Sequence, residues 1–125
     1  MKKLIKTLKK KLKNFNPKLK EECGVFGISD SKDAAALTAL GLHALQHRGQ
    51  EGCGIVSFDG SHYFSEKRFG LVGDNFNKEK ILNKLRGNYA IGHNRYSTTG
   101  ENTLRNIQPF LLIPMQVVLV LSLIH

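Results

Sequence analysis

Residues 21–28 read Glu-Glu-Cys-Gly-Val-Phe-Gly-Ile, with Cys23 placed directly before a short apolar run. The valine, phenylalanine and isoleucine favour a strand, and the glycines among them let a neighbouring segment pass close to the backbone. We therefore expect a strand that begins at Cys23. If residues 1–22 are removed as a leader, Cys23 gains a free α-amine that can act as the base for its own thiol. The alternative is that Cys23 is a small buried residue of this strand.

The positive charge of the chain is concentrated before Cys23. Of the formal net charge of +9, residues 1–22 hold nine lysines and two glutamates, and the remainder holds ten basic and eight acidic residues. Residues 23–125 are therefore nearly neutral, which argues against a nucleic-acid-binding domain. Apolar residues recur at helical spacing from Leu4 to Phe15, so residues 1–22 are either an amphipathic helix or a solvated leader. No long apolar run follows the lysines, so we expect no secretory signal.

The cysteines and histidines indicate the compartment and the absence of a metal motif. Cys23 and Cys53 do not form a CxxC pair, and two cysteines are too few for a disulfide framework. This cysteine content favours a reducing cytoplasm. His43, His47 and His93 lack the spacing of metal-ligand motifs, so we predict no metal site.

The rest of the chain alternates helical and strand patterns that are separated by polar or glycine-rich turns. We expect a helix over residues 34–47 with Leu37, Leu40 and Ala44 on one face and Leu42 and Leu45 beside it. The further predicted elements are a polar loop at 46–52, strands at 53–58 and 62–66 joined by an Asp59-Gly60 hairpin turn, a helix at 77–85, a strand at 89–94 and a hydroxyl-rich loop at 95–100. A chain of this length predicts one small domain with one core.

Three polar clusters lie at the ends of predicted elements, where binding and catalytic side chains are usually found. They are Cys23-Gly24, residues 47–50 (His-Arg-Gly-Gln) and residues 93–98 (His-Asn-Arg-Tyr-Ser-Thr). Arg95 offers a forked, permanently charged donor suited to a carboxylate, and Thr98 places a hydroxyl beside it. These groups could hold an amino-acid substrate while Cys23 attacks a side-chain carbonyl. Taken singly, each has a simpler interpretation, a solvated arginine or a turn threonine.

Taken together, three motifs resemble those of the amidophosphoribosyltransferases, which are glutamine-dependent enzymes of purine synthesis. They are residues 21–28, residues 41–52 (Gly-Leu-His-Ala-Leu-Gln-His-Arg-Gly-Gln-Glu-Gly) and residues 92–98 (Gly-His-Asn-Arg-Tyr-Ser-Thr). The resemblance covers roughly residues 21–110 and is specific to the branch whose leader is cut just before the cysteine. It implies an α+β fold: the four-layer α/β/β/α N-terminal nucleophile hydrolase fold of class II glutamine amidotransferases, incomplete in this chain.

The resemblance also implies a role for each site residue. Cys23 would be the catalytic nucleophile that attacks the glutamine carboxamide, with its own α-amine as the base. Arg95 would bind the glutamine α-carboxylate with Thr98 beside it, and Gly24 and Arg48 would shape the wall next to the nucleophile. The ammonia released would pass to phosphoribosylpyrophosphate to form phosphoribosylamine, the first step of de novo purine biosynthesis.

The resemblance divides the chain into three parts: a basic leader or propeptide at 1–22, a partial glutamine amidotransferase domain at 23–110 and an apolar tail at 111–125. The family continues with a His-Asn-Gly-Asn motif and then a phosphoribosyltransferase domain, and neither is found in the tail. We expect the tail to arise from a frameshift and the chain to be inactive alone. A back-translation of residues 110–118 with one base restored reads Phe-Phe-Ala-Asp-Thr-Asn-Ala-Gly-Gly, which resequencing of the gene would test.

The resemblance implies further expectations about cofactors and partners. We expect no cofactor in this fragment, and Mg²⁺ only in the phosphoribosyltransferase domain that the chain lacks. Glutamine is the expected substrate, phosphoribosylpyrophosphate would bind only through that missing domain, and no nucleic acid or membrane partner is expected. The full-length family suggests a cytoplasmic homo-oligomer. Cys53 stands where the family commonly has a small residue such as alanine, so we interpret it as structural.

Two alternatives remain open at this point. One is another class II glutamine amidotransferase, of the glucosamine-phosphate or asparagine synthetase type, although those usually begin with Met-Cys. The other is a non-catalytic remnant whose basic leader binds membranes or nucleic acid.

Overall fold

The computed structural model describes residues 22–96, 101, 103–112 and 119–121. The strands are β1 (Gly24–Ile28), β2 (Gly52–Phe58), β3 (Tyr63–Phe69), β4 (Tyr89–Arg95), β5 (Phe110–Leu112) and β6 (Leu119–Leu121). The α-helices are α1 (Ala34–Ala44), α2 (Val72–Asn75) and α3 (Glu79–Leu82), and 3-10 turns lie at Gln46–Arg48 and Leu104–Asn106. Residues 1–21 of the predicted leader and Thr98 lie outside the described residues.

The centre of the fold is a four-stranded antiparallel sheet with the strand order β1-β4-β2-β3. Strand β4 is central, so that its end pairs on both sides: Asn94 lies opposite Gly24 of β1, and Arg95 lies opposite Gly52 of β2. The start of β1 and the end of β4 therefore meet at one edge of the sheet. Cys23 and the described part of the polar cluster, residues 93–96, lie at this edge.

The hairpin predicted at Asp59-Gly60 is present between β2 and β3. The Asp59 carboxylate closes the turn, because its Oδ1 accepts the backbone N–H groups of Ser61 and His62 at 2.8 and 2.6 Å. Gly60 has a φ of 101°, which a residue with a side chain rarely adopts. The local turn chemistry therefore specifies this hairpin, as the sequence predicts.

Helix α1 packs on one face of the sheet mainly through small side chains. Its buried residues are Ala34, Ala35, Thr38, Ala39 and Leu42. A Cβ added at Gly92 of β4 would lie 2.5 Å from Leu42 Cδ1 and 2.8 Å from Thr38 Cγ2. The absence of a side chain at Gly92 therefore permits the close approach of helix and sheet.

The leucine face predicted for this helix is its exposed side. Leu37 is 43% exposed and Leu40 is 67% exposed, and Ala44 is also exposed. Because the helix lies so close to the sheet, the stripe of alanines with Leu42 faces inward, and Leu37 and Leu40 face outward. The α-helix also ends at Ala44 rather than at residue 47, and the chain continues as a 3-10 turn.

The helix predicted at 77–85 needs correction. The helix predicted at 77–85 is the single turn α3, and the sequence does not predict the turn α2 that precedes it. Both helices contribute to the core on the α1 side, where Val72, Phe76 and Leu85 are buried. The sequence left open whether residues 67–72 continue the return strand or loop away, and β3 continues as far as Phe69.

The opposite face of the sheet is partly covered by residues 104–112. A Cβ at Gly52 would lie 2.8 Å from Ile107 Cδ1, and one at Gly54 would lie 3.2 Å from Pro109 Cδ, so this segment lies directly on β2. Next to it is an open, largely apolar cavity of about 500 Å³. Its lining includes Val56, Phe58, Tyr63, Tyr89 and Ile91. The antiparallel sheet and its helices confirm the α+β class.

The described part of the apolar tail contains paired strands. β5 and β6 are antiparallel, with Phe110 opposite Leu121. They form a separate two-stranded sheet. Within the residues that the structure describes, no helix is long and apolar enough to cross a membrane.

Candidate active site

Cys23 lies directly before β1, at the edge where β4 ends. Its thiol is half-buried and accepts the backbone N–H of Tyr96 at 3.4 Å. The same Sγ lies 3.7 Å from the Tyr96 carbonyl oxygen. Since Gly24 pairs with Asn94, continuation of the register places Cys23 across from Arg95. The pairing of β1 with β4 therefore brings together two predicted site residues that are far apart in the sequence.

Arg48 reaches the nucleophile from the 3-10 turn that follows α1. Its Nε donates to the Cys23 carbonyl oxygen at 3.1 Å, and its Nη2 lies 3.3 Å from Glu22 Oε2. Gly24 permits the end of α1 and the turn after it to lie close to β1, because a Cβ there would lie only 3.1 Å from Leu45 Cβ. The structure thus places both Gly24 and Arg48 beside Cys23, and their role in binding a substrate stays a prediction.

Arg95 is the last residue of β4 and is only 7% exposed. Within the described residues its Nη1 has no hydrogen-bond partner. Its backbone is held by Glu51, whose N–H donates to the Arg95 carbonyl oxygen at 3.2 Å. A buried guanidinium with an unpaired donor is costly unless an anion completes it. The geometry therefore suits binding of a carboxylate at this end of the sheet.

Three neighbouring groups in this region were given no individual role by the sequence. Asn94 Nδ2 donates to the Leu42 carbonyl oxygen at 2.7 Å and so ties β4 to the last turns of α1. His93 is fully buried, and neither ring nitrogen has a hydrogen-bond partner in the described part of the chain. Burial, together with the charge of Arg95, lowers the pKa of His93 to about 4, so the ring is neutral at pH 7. The Tyr96 backbone N–H, which contacts the Cys23 sulfur, is a main-chain group, so side-chain chemistry could not identify it as part of the site.

Cys53 has a defined position in the structure, whereas Thr98 lies outside the described residues. Cys53 is fully buried in β2, its Sγ lies 3.6 Å from the Gly70 carbonyl oxygen, and burial raises its pKa to about 12. Such a thiol stays protonated and packs as a core residue, in agreement with a structural role. Thr98 is outside the described residues, so its place beside Arg95 stays a prediction. Among the described side chains, no group of three or more His, Cys, Asp or Glu could hold a metal ion.

Comparison with known proteins gives close sequence relatives. An amidophosphoribosyltransferase of Rhizobium etli is 64% identical over 91 residues, which are 73% of this chain and 18% of that protein. A chloroplastic amidophosphoribosyltransferase of Glycine max is 54% identical over 94 residues, which are 75% of this chain and 16% of that protein. The chain is homologous to the N-terminal part of the amidophosphoribosyltransferases. No family model matches it.

Solved structures agree with the sequence relatives. A structure described as the allosteric regulatory enzyme of purine biosynthesis is 44% identical, with a TM-score of 0.66, over 74% of this chain and 20% of that one. The glutamine phosphoribosylpyrophosphate amidotransferase of B. subtilis, complexed with ADP and GMP, is also 44% identical, with a TM-score of 0.62 over 74% of this chain. These matches confirm the resemblance drawn from the three motifs. The chain spans about a fifth of the length of the relatives that it matches.

Proposed function

We propose that this chain is the glutamine-hydrolysing part of an amidophosphoribosyltransferase, with Cys23 as its nucleophile. The observation that supports this most is the contact of the Cys23 thiol with the Tyr96 N–H, at the strand end that also holds the buried Arg95 guanidinium, whose Nη1 has no partner among the described residues. A nucleophile next to a carboxylate-binding arginine suits an amino-acid substrate. The names of the relatives agree with this assignment.

Glutamine would bind with its two ends at different groups of this edge. The α-carboxylate would pair with Arg95, whose Nη1 then gains the partner that it lacks among the described residues. Thr98 would contribute its hydroxyl to the same end of the substrate. The carboxamide would lie at Cys23, against the wall formed by Gly24 and Arg48.

The reaction begins once Cys23 has a free α-amine. The amine takes the thiol proton, and the thiolate attacks the carboxamide carbon of glutamine. The Tyr96 N–H, 3.4 Å from the sulfur, stabilises the negative charge of the attacking thiolate. Loss of ammonia leaves a γ-glutamyl thioester on Cys23, and water hydrolyses it to glutamate. Ammonia would then replace the pyrophosphate of phosphoribosylpyrophosphate in a phosphoribosyltransferase domain, giving phosphoribosylamine.

The partly covered sheet is consistent with a domain of four layers, α/β/β/α. The described residues supply the helices on one face and the sheet, and a second sheet would cover the 500 Å³ cavity beside residues 104–112. The assembled enzyme would be a cytoplasmic homo-oligomer, with Mg²⁺ bound by the phosphoribosyltransferase domain and no cofactor in the part described here. The whole protein's substrates would be glutamine and phosphoribosylpyrophosphate.

The test uses a chimera in which residues 1–110 of this chain replace the matching segment of the Rhizobium etli relative. Formation of phosphoribosylamine is measured with glutamine and, separately, with ammonia as the nitrogen donor. We expect Cys23→Ser to abolish the glutamine-dependent activity and to spare the ammonia-dependent one. The matched control Cys53→Ala should keep both, because that thiol is fully buried in β2 and its Sγ lies at the Gly70 carbonyl oxygen. The electrophilic glutamine analogue diazo-oxo-norleucine should label Cys23. Glutamine-dependent activity that survives Cys23→Ser would refute the proposal.

A further inference from the structure

Arg48 contacts the chain on both sides of the peptide bond that joins Glu22 to Cys23. On the C-terminal side its Nε donates to the Cys23 carbonyl oxygen at 3.1 Å. On the N-terminal side its Nη2 lies 3.3 Å from the Glu22 carboxylate. One guanidinium group therefore holds the residue that would leave with the leader and the residue that would become the N-terminus.

The turn that presents Arg48 is fixed independently of these two contacts. The Arg48 N–H donates to the Leu45 carbonyl oxygen at 3.0 Å within the 3-10 turn. Gln46 then braces the turn, since its Nε2 donates to the Gly49 carbonyl oxygen at 2.6 Å and its Oε1 accepts the Val72 N–H at 2.7 Å. The guanidinium therefore reaches the junction from an ordered support rather than from a free loop.

We propose that Arg48 is a positioning residue for removal of the leader at the Glu22–Cys23 bond. This rests on the proposed function, in which Cys23 needs a free amine. Hydrolysis of the bond breaks its C–N link, places the hydroxyl of water on the Glu22 carbonyl carbon and a proton on the Cys23 nitrogen. By holding both sides of the junction, Arg48 limits rotation about the bonds next to the scissile one. After the cut, Nη2 loses its Glu22 partner while Nε keeps the Cys23 carbonyl.

The two contacts contribute unequally. The Glu22 pair is half-exposed, with 39% of the Arg48 side chain and 50% of the Glu22 side chain accessible to solvent. Exposed ion pairs are weak, so its loss should slow cleavage by only about two- to fivefold. Arg48→Lys removes the planar fork that makes both contacts at once, and we expect a reduction of about tenfold or more.

The experiment follows leader loss in the purified 125-residue chain by intact-mass measurement over time. The unchanged chain should lose residues 1–22, while Glu22→Gln and Arg48→Lys should lose them more slowly, in that order. Arg105→Lys and Glu79→Gln are matched controls at exposed positions and should cleave at the unchanged rate. Circular dichroism checks that Arg48→Lys is folded, and Glu22→Gln, at an exposed position, tests the contact without disturbing the core.

The salt dependence of the cleavage rate distinguishes a positioning role of Arg48 from a general structural role. Because the Glu22–Arg48 pair is exposed, about 1 M NaCl should slow the unchanged chain to near the rate of Glu22→Gln and leave Glu22→Gln itself unaffected. The proposal is overturned if both variants cleave as fast as the unchanged chain or faster, as expected if the contact only shields the bond. It is also overturned if the unchanged chain keeps its leader.

The outcome can be separated from that of the proposed function. Cleavage rates that follow the expected order, with no labelling of Cys23 by diazo-oxo-norleucine in the chimera, would refute the glutaminase and leave the role of Arg48 intact. Labelling of Cys23 in the chimera, with cleavage rates that do not change in the Arg48 and Glu22 variants, would support the glutaminase and refute the proposed role of Arg48.

Discussion

Gly49→Ala should damage glutamine use by displacing the end of β4. Gly49 is buried between the Arg48 turn and this strand end. A Cβ at Gly49 would lie 2.6 Å from the Arg95 carbonyl carbon, 2.8 Å from its oxygen and 3.0 Å from the Asn94 carbonyl carbon. All three are backbone atoms, which cannot rotate away as a side chain could. The added methyl group must therefore move one of the two segments.

The size of the effect follows from the size of the clash. Ordinary contact begins near 3.4 Å, so a contact at 2.6 Å requires a shift of about 0.8 Å. Overpacking of this kind costs about 1–3 kcal/mol, and each kcal/mol lowers the unfolding temperature of a small domain by about 4–8 °C. The shift would also move the Tyr96 N–H away from the Cys23 sulfur, 3.4 Å away in the unchanged chain. A displacement of about 1 Å at a reacting group can reduce the rate by about 100-fold.

Two measurements test this reasoning. Thermal unfolding of the 125-residue chain reports the stability loss, and the chimera reports the ratio of glutamine-dependent to ammonia-dependent synthesis. The matched control is Gly27→Ala in β1, where the nearest atom to the new Cβ, the Ala90 carbonyl oxygen, lies 3.4 Å away. The control should change neither quantity strongly. If Gly49→Ala unfolded at the unchanged temperature and used glutamine normally, the inferred coupling between this turn and β4 would be wrong.

Three further predictions address single side chains. In the chimera, Arg95→Lys should lower kcat/KM for glutamine by roughly 10- to 100-fold and spare ammonia use, because lysine lacks the fork that fits a carboxylate; equal losses would mean a structural role. At pH 8, iodoacetamide should modify half-buried Cys23 in the folded chain and Cys53 only after unfolding, since burial raises the Cys53 pKa to about 12; equal rates would contradict this. Because the His93 pKa falls from 6.5 to about 4, its neutral form stabilises the fold above pH 6.5, and up to about 3 kcal/mol should be lost as pH falls towards 4. Urea unfolding should show a smaller loss for His93→Phe and an unchanged loss for the control His43→Gln, at an exposed position.

Much of the secondary structure could be predicted because local chemistry specifies it. Strand β1 follows from β-favouring residues between glycines, and the Asp59-Gly60 hairpin follows from a carboxylate that accepts the turn's own N–H groups. The predicted strand at 89–94 is β4, extended by one residue to Arg95. These features depend on neighbours along the chain, and a sequence displays such neighbours directly.

The orientation of helix α1 could not be predicted in the same way. Its sequence pattern places Leu37 and Leu40 on one apolar face, yet the buried stripe consists mostly of alanines. The reason is that Gly92 lets the helix lie close to the sheet. The space available to a helix face depends on the strand that lies opposite it. Gly92 lies 50 residues after Leu42 in the sequence, so no local pattern reveals their contact.

The sequence by itself determined strands β1 to β4, the hairpin, the family resemblance and the residue types of the site: a cysteine before β1 and an arginine at the end of β4. Only the tertiary structure decided how they meet. The pairing of β1 with β4 places the Tyr96 N–H on the Cys23 thiol, and the turn after α1 places Arg48 across the Glu22–Cys23 bond. The physical reason is that every residue except proline has the same backbone N–H, so only strand register and close packing select the one that contacts the sulfur.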